Sequence, residues 1–233
     1  MLCALVLAGC AGALNWSPPS RTDAGAEAEP VPASYTVSAG DTLYSIAWRY
    51  GLDYHDVADW NGIGSDYLIK PGQKLRLSVP AGGLPSTGAR AGGTARGTPV
   101  DESYTAPAGD IAWRWPSEGR VIRSFHAGDP LSKGIDISAA RGTDIRAAAA
   151  GKVVYAGSGI IGYGKLIIIK NSEQFLSAYA DNDEILVREG DTVQAGDRIA
   201  SMGLGRDGRP LLHFEIRRNG KPVDPLKYLP GSH

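Results

Sequence analysis

The run Leu212-His-Phe-Glu-Ile-Arg217 alternates apolar and polar side chains. As a strand it places Leu212, Phe214 and Ile216 on one face, with His213 and Glu215 on the other. His213 therefore points away from the apolar side, into whatever groove the sheet lines. An imidazole so placed can hold a metal, carry a proton or hydrogen-bond a carboxylate. A zinc hydrolase needs three protein ligands, a water in the open fourth position and a base for that water's proton. The chain has only 4 histidines, so each one weighs in that count. His126 is a second candidate, in a glycine-containing loop.

The elements that must position these groups fall into two modules. The 233 residues carry a formal net charge of -1 and 42% hydrophobic side chains, enough for one or two cored domains. Near-neutral charge without a basic block argues against a nucleic-acid partner. No apolar run approaches the ~20 residues of a spanning helix. Residues 10–33 and 80–109 are rich in Ser, Pro, Ala and Gly without an apolar period, and they read as disordered linkers. Between them, 34–79 reads as a βααβ module. Tyr35-Thr36-Val37 alternates, Asp41 or Thr42 can cap a helix carrying Leu43, Ile46, Ala47 and Tyr50, and Asp53 can cap a second with Val57 and Trp60 inward. Pro71-Gly72 then turns the chain into Leu75-Arg76-Leu77.

Residues 110–231 show short strands separated by glycine turns, at 151–157, 166–170, 175–179 and 188–200, with the His213 strand last. No helix longer than two turns is indicated, so this module is expected to be an all-β sandwich or partly closed barrel.

Two segments of this module, Ser132-Lys133-Gly134-Ile135-Asp136 and Leu211-Leu212-His213-Phe214-Glu215, resemble the signatures of the LytM (lysostaphin-type) zinc peptidases, with Gly162-Tyr-Gly164 and Asn219-Gly-Lys-Pro-Val-Asp-Pro225 in support. The resemblance implies the all-β, duplicated-hybrid-motif fold of that family. It also assigns the metal positions to Ser132, Asp136 and His213, and the assisting imidazoles to Asp181 and Leu211. Serine is a poor zinc ligand and leucine cannot shuttle a proton, so the expectation is a degenerate site with no catalysis and no cofactor. Vestigial Asp136 and His213 would then hydrogen-bond each other. Ser132, Asp136, Asp181, Leu211 and His213 would line a groove that binds a partner. The run around Gly190-Asp-Thr-Val-Gln-Ala-Gly196 also occurs in biotinyl and lipoyl carrier domains, but Lys152 lacks the Met or Asp neighbours that a carrier lysine has.

The small module resembles a LysM domain nearly end to end, through Gly40-Asp-Thr-Leu, Asn61-Gly and Ile69-Lys-Pro-Gly-Gln-Lys-Leu. That implies binding of N-acetylglucosamine-containing glycans, here peptidoglycan, at the turns bearing Gly40, Asp41, Thr42, Asn61 and Ile63. Asp41 and Thr42 serve equally well as helix caps, and Trp48 and Trp60 as core. Residues 1–9 form a short apolar run, and Leu7-Ala8-Gly9-Cys10 resembles a lipobox. Cleavage there would leave Cys10 lipidated, no thiol free for a disulfide, and the chain on the periplasmic side of the outer membrane.

Lipobox, LysM, linker and degenerate LytM module, in that order, resemble the murein hydrolase activators of the NlpD type. The resemblance implies a non-catalytic protein that activates an N-acetylmuramoyl-L-alanine amidase at the division septum. The alternative from a different class is a zinc endopeptidase that cuts peptidoglycan cross-bridges.

Overall fold

The computed structural model describes residues 31–79, 111–129 and 132–231. Cys10, the signal segment, nearly all of the first linker and the second linker lie outside the described residues.

The small module is a two-stranded antiparallel sheet, β1 (Ser34–Thr36) against β2 (Lys74–Arg76), with α1 (Leu43–Tyr50) and α2 (Tyr54–Asn61) between them. Thr42 caps α1 through a capping box with Ser45, and Gly51 ends the helix in the left-handed conformation. Asp53 caps α2, and Gly62 ends it in the same way. Leu43, Ile46, Ala47, Val57 and Leu75 form the interior, as the helical spacing requires.

The larger module is all-β apart from a 3-10 turn at Pro225–Lys227. Its strands are β3 (Arg120–Arg123), β4 (Ile135–Ser138), β5 (Asp144–Arg146), β6 (Gly151–Gly157), β7 (Leu166–Lys170), β8 (Phe175–Ala180), β9 (Asn182–Ile185), β10 (Thr192–Val193), β11 (Arg198–Leu204), β12 (Pro210–Arg218) and β13 (Lys221–Val223). They join in one network of 11 strands ordered β10-β6-β7-β8-β12-β11-β5. β4 lies beside β12, β3 beside β4, β9 beside β11 and β13 beside β12. The long strand β12 is the hub, because it pairs with β4, β8, β11 and β13.

The two faces of β12 serve different layers. Leu212, Phe214 and Ile216 enter the main core with Ile135, Ile137, Ile167, Ile169 and Tyr179. The opposite face carries His213, Glu215 and Arg217 in rows that continue onto neighbouring strands. One row is Ala180–His213–Asp136–Arg123, the next Tyr155–Ile168–Ala178–Glu215, and the third Lys170–Leu176–Arg217.

That second face is itself largely apolar, and the LysM-like module covers it. Val154, Tyr155, Ile160, Leu166, Ile168, Leu176, Ala178 and Ala180 belong to one buried cluster with Leu43, Trp48, Tyr54 and Leu75. At roughly 1.5–3 kcal/mol for each fully buried Val, Leu or Ile, the five aliphatic side chains from the sheet side contribute on the order of 10 kcal/mol before ordering costs. Sequence pattern placed the two modules along the chain but gave no sign that they pack together.

Polar contacts fix the seam. Arg217 donates to the Trp48 carbonyl at 2.9 Å and lays its guanidinium over the indole at 3.5 Å. Arg49 reaches the Gly159 carbonyl at 3.0 Å. His55 and the Tyr54 hydroxyl meet Glu173, whose other carboxylate oxygen pairs with Lys170 at 2.6 Å. Gly220, in the β12–β13 turn at φ 72, admits the module's backbone so closely that a Cβ there would sit 2.6 Å from the Asp53 amide nitrogen.

Candidate functional site

Strands β4 and β12 bring the two signature segments together in register, with His213 opposite Asp136. The approach requires Gly134, since a Cβ there would lie 2.1 Å from the Phe214 carbonyl oxygen. Nδ1 of His213 is 2.7 Å from Asp136 Oδ1, and Nε2 is 3.1 Å from Glu215 Oε1. The imidazole is therefore clamped between two carboxylates. Arg123 closes the outer end, 3.2 Å from Asp136 Oδ2. Arg217 closes the inner end, 3.0 Å from Glu215 Oε2. The Tyr163 hydroxyl donates to Glu215 Oε1 at 2.8 Å and accepts from Arg217 at 3.2 Å. The network thus runs Arg123–Asp136–His213–Glu215–Arg217 and ends on Trp48 of the small module.

Charge follows geometry. Burial alone would lower the His213 pKa, but hydrogen bonds to Asp136 and Glu215 outweigh it and push the ring up to about 9. Glu215 is fully buried, which alone would raise its pKa; Arg217 and then His213 hold the carboxyl down at about 2. The upward shift favours the imidazolium, the form that can donate to a carboxylate from each nitrogen.

That arrangement does not fit a zinc ion. Both ring nitrogens are taken up by carboxylate oxygens, Asp136 is engaged on both of its own oxygens, and the third ligand position carries Ser132. No group of three or more His, Cys, Asp or Glu side chains among the described residues is arranged to hold a metal. His126 is exposed on its loop, with its Nδ1 3.0 Å from the Ser124 carbonyl.

The structure gathers the expected site residues but closes over most of them. Ser132, Asp136 and Leu211 are 6%, 4% and 5% exposed, so a partner cannot reach them directly in this conformation. Leu211 packs against Gly205, and its strand neighbour Gly203 donates to the Asp181 carbonyl at 3.0 Å. Asp181 occupies a left-handed turn at φ 60, and burial raises its carboxyl to about 6. The rim exposes both apolar and charged side chains, the latter including Arg206, Asp207 and Arg209. Ile161 is 87% exposed on the β6–β7 loop and Leu204 45% at the end of β11, and Arg206 of the following turn bonds the Gly162 carbonyl.

In the small module the glycan-site candidates are largely engaged in structural bonds. Asp41 accepts from Tyr35 and the Ser38 amide, Thr42 caps α1, and Asn61 bonds the backbone of Val57 and Arg76. Gly40 and Gly62 are exposed, and Ile63 is half-buried. Trp48 is core, buried at the module seam.

Sequence reasoning missed Glu215, Arg217, Tyr163 and Arg123 as members of the site. Alternation along β12 put Glu215 on the face of His213 but left Arg217 to solvent. An arginine on a face that becomes buried carries no such sign in the sequence.

Known proteins place this architecture. Residues 130–225 match peptidase family M23 and residues 35–78 the LysM domain. The chain is 43% identical to the uncharacterized lipoprotein YgeR of Escherichia coli K12, over 97% of this chain and 89% of that protein. The chain belongs to the NlpD family. Similarity to the lipoprotein NlpD/LppB homolog of Pseudomonas aeruginosa is 42% over 84% of this chain and 76% of the relative. The murein hydrolase activator NlpD of Salmonella dublin is 39% identical over 85% of this chain and 68% of its own length. The family thus pairs a LysM domain with an M23-like domain, as this chain does.

Proposed function

We propose that the chain is a non-catalytic activator of a periplasmic N-acetylmuramoyl-L-alanine amidase, acting in the splitting of septal peptidoglycan. Kinship with murein hydrolase activators supports the role. The observation that carries the non-catalytic half is the clamped His213. A peptidase of this fold needs an imidazole lone pair on the metal and a second imidazole beside it. In this chain the His213 ring is held at both nitrogens by Asp136 and Glu215, with a leucine at 211 and an aspartate at 181.

Cys10 would carry the lipid anchor to the outer membrane, and the LysM domain would hold peptidoglycan. Since Asp41, Thr42 and Asn61 spend side-chain bonds on the fold, glycan recognition at these turns falls to backbone groups around Gly40 and Gly62–Ile63. The amidase docks on the rim of the M23-like groove, where Ile161 and Leu204 stand exposed. Activation is then a shift in population: the activator binds the open amidase better than the blocked one, and only that difference counts. Lipid anchor and glycan contact raise the local concentration of a weak encounter.

The test is release of labelled fragments from purified peptidoglycan by the full chain, alone and with an amidase. No release alone and strong acceleration of the amidase are expected. Cut cross-bridges in an amidase-free reaction would overturn the reading in favour of an endopeptidase.

A further inference from the structure

We infer that the LysM domain is a fixed end wall of the partner groove, so that the glycan site and the groove form one rigid body. The inference rests on the amidase reading for the partner's identity, but not for the architecture.

Three observations carry it. First, the rows bearing His213, Glu215 and Arg217 continue onto β8 and β7 as Ala178, Ala180, Leu176 and Ile168, and this half of the face is buried under the module that contains α1. A chain segment laid across the sheet past His213 would run into Tyr163 and Trp48, whose rings meet edge-on at 6.4 Å. On the other side of His213, among the described residues, Arg123 is half exposed and Ser124 and His126 are exposed.

Second, the seam is built as an interior rather than as a latch. Arg217 is 1% exposed and its hydrogen bonds are divided between the sheet's Glu215 and Tyr163 and the Trp48 carbonyl of α1. Lifting the module would strip that arginine of its carbonyl and its indole and expose an apolar sheet face. The burial involved is far more than a weak glycan contact could offset, so the module stays in place while the protein works. Third, Gly220 lets the turn after β12 meet the backbone of Leu52 and Asp53 with no room for a side chain. Such contact suits a permanent junction.

The arrangement explains why a peptidase groove can be kept without peptidase use. A cross-bridge must pass on both sides of the scissile bond, and here one side is walled. A partner that inserts from one side needs no through passage.

A covalent lock and a wedge test the inference on the full chain with Cys3 and Cys10 replaced by serine. His55→Cys with Glu173→Cys, joined by a short bismaleimide, ties the module down at a contact of 3.1 Å on its accessible rim. Gly220→Asn keeps a residue that tolerates the left-handed turn but drives a side chain into Leu52–Asp53. Amidase acceleration by the locked chain within about twofold of the unlocked one is expected, with a loss of at least tenfold in Gly220→Asn. NMR relaxation should give one tumbling time for both modules in the parent chain and two in the wedge variant. Loss of acceleration on locking, or undiminished acceleration in a wedge variant whose modules tumble apart, would overturn the wall. If neither locked nor unlocked chain accelerates the amidase, the amidase reading falls. The wall is then upheld by a shared tumbling time in the parent chain, or refuted by separate ones.

Discussion

Replacing Arg217 by methionine removes the charge at the module seam while keeping the stem that packs there. In the parent chain the guanidinium pairs with the fully buried Glu215 at 3.0 Å, bonds the Trp48 carbonyl and stacks on the indole. Without it, Glu215 keeps His213 and Tyr163 but loses the largest influence holding it ionised. Breaking a buried ion pair from one side costs about 3–5 kcal/mol, because the remaining charge stays buried. For a protein of this size, about 4 kcal/mol lowers Tm by roughly 8–16 °C. Urea unfolding followed by tryptophan fluorescence and by far-UV circular dichroism measures both the loss and whether the modules still unfold together. The companion variant Arg217→Met with Glu215→Gln removes both charges and is expected to recover at least half of the loss, since replacing both partners of a buried pair is often near neutral. A cost below about 1 kcal/mol for the single variant would refute the energetic account of the seam. So would a double variant no more stable than the single.

Other expectations follow from the same geometry. Gly134→Ala should prevent soluble folding, because its Cβ would collide with the Phe214 carbonyl; expression as a folded protein with parent Tm would contradict the register of β4 on β12. His213 has a folded pKa raised to about 9. Its contribution is fully present below the unfolded value near 6.5 and is lost as pH rises through 9. Tm should therefore fall between pH 7 and 10 in the parent chain, and fall less in His213→Gln. Asp181 has the same sense at lower pH: burial raises its carboxyl to about 6, so stability is lost as pH rises through that value and the ionised group is a cost above it. Asp181→Asn should raise Tm at pH 7.5 and bring no gain at pH 4, as differential scanning calorimetry would show. Ile161→Glu, on an exposed loop, should leave Tm within a degree or two yet weaken amidase acceleration; full acceleration would move the docking surface elsewhere.

Much of this protein is written in local pattern. Capping residues and glycine stops at Thr42, Gly51, Asp53 and Gly62 set both helices, and these signals act within a few residues of themselves. Alternation from Leu212 to Arg217 was enough to turn His213 away from the main core, because the side-chain period of a strand is fixed by backbone geometry. The substitutions at 132, 181 and 211 stand in the sequence whatever the fold does. The hydrogen bond between His213 and Asp136 was expected from the paired segments and is present at 2.7 Å.

Other features depended on what strand packing and module docking bring together. Leu211 belonged by pattern to an open groove, but its packing against Gly205 buries it, which is why an exposed neighbour such as Ile161 makes the better probe of docking. Arg217 is polar and lies on the face opposite the main core, so alternation alone leaves it to solvent. Only the tertiary structure sets Trp48, 169 residues earlier in the chain, on its guanidinium. Sequence periodicity reports which way a side chain points relative to its own strand or helix. Whether that direction meets water or another module depends on contacts between distant segments, and here those contacts turn a sheet face into an interior.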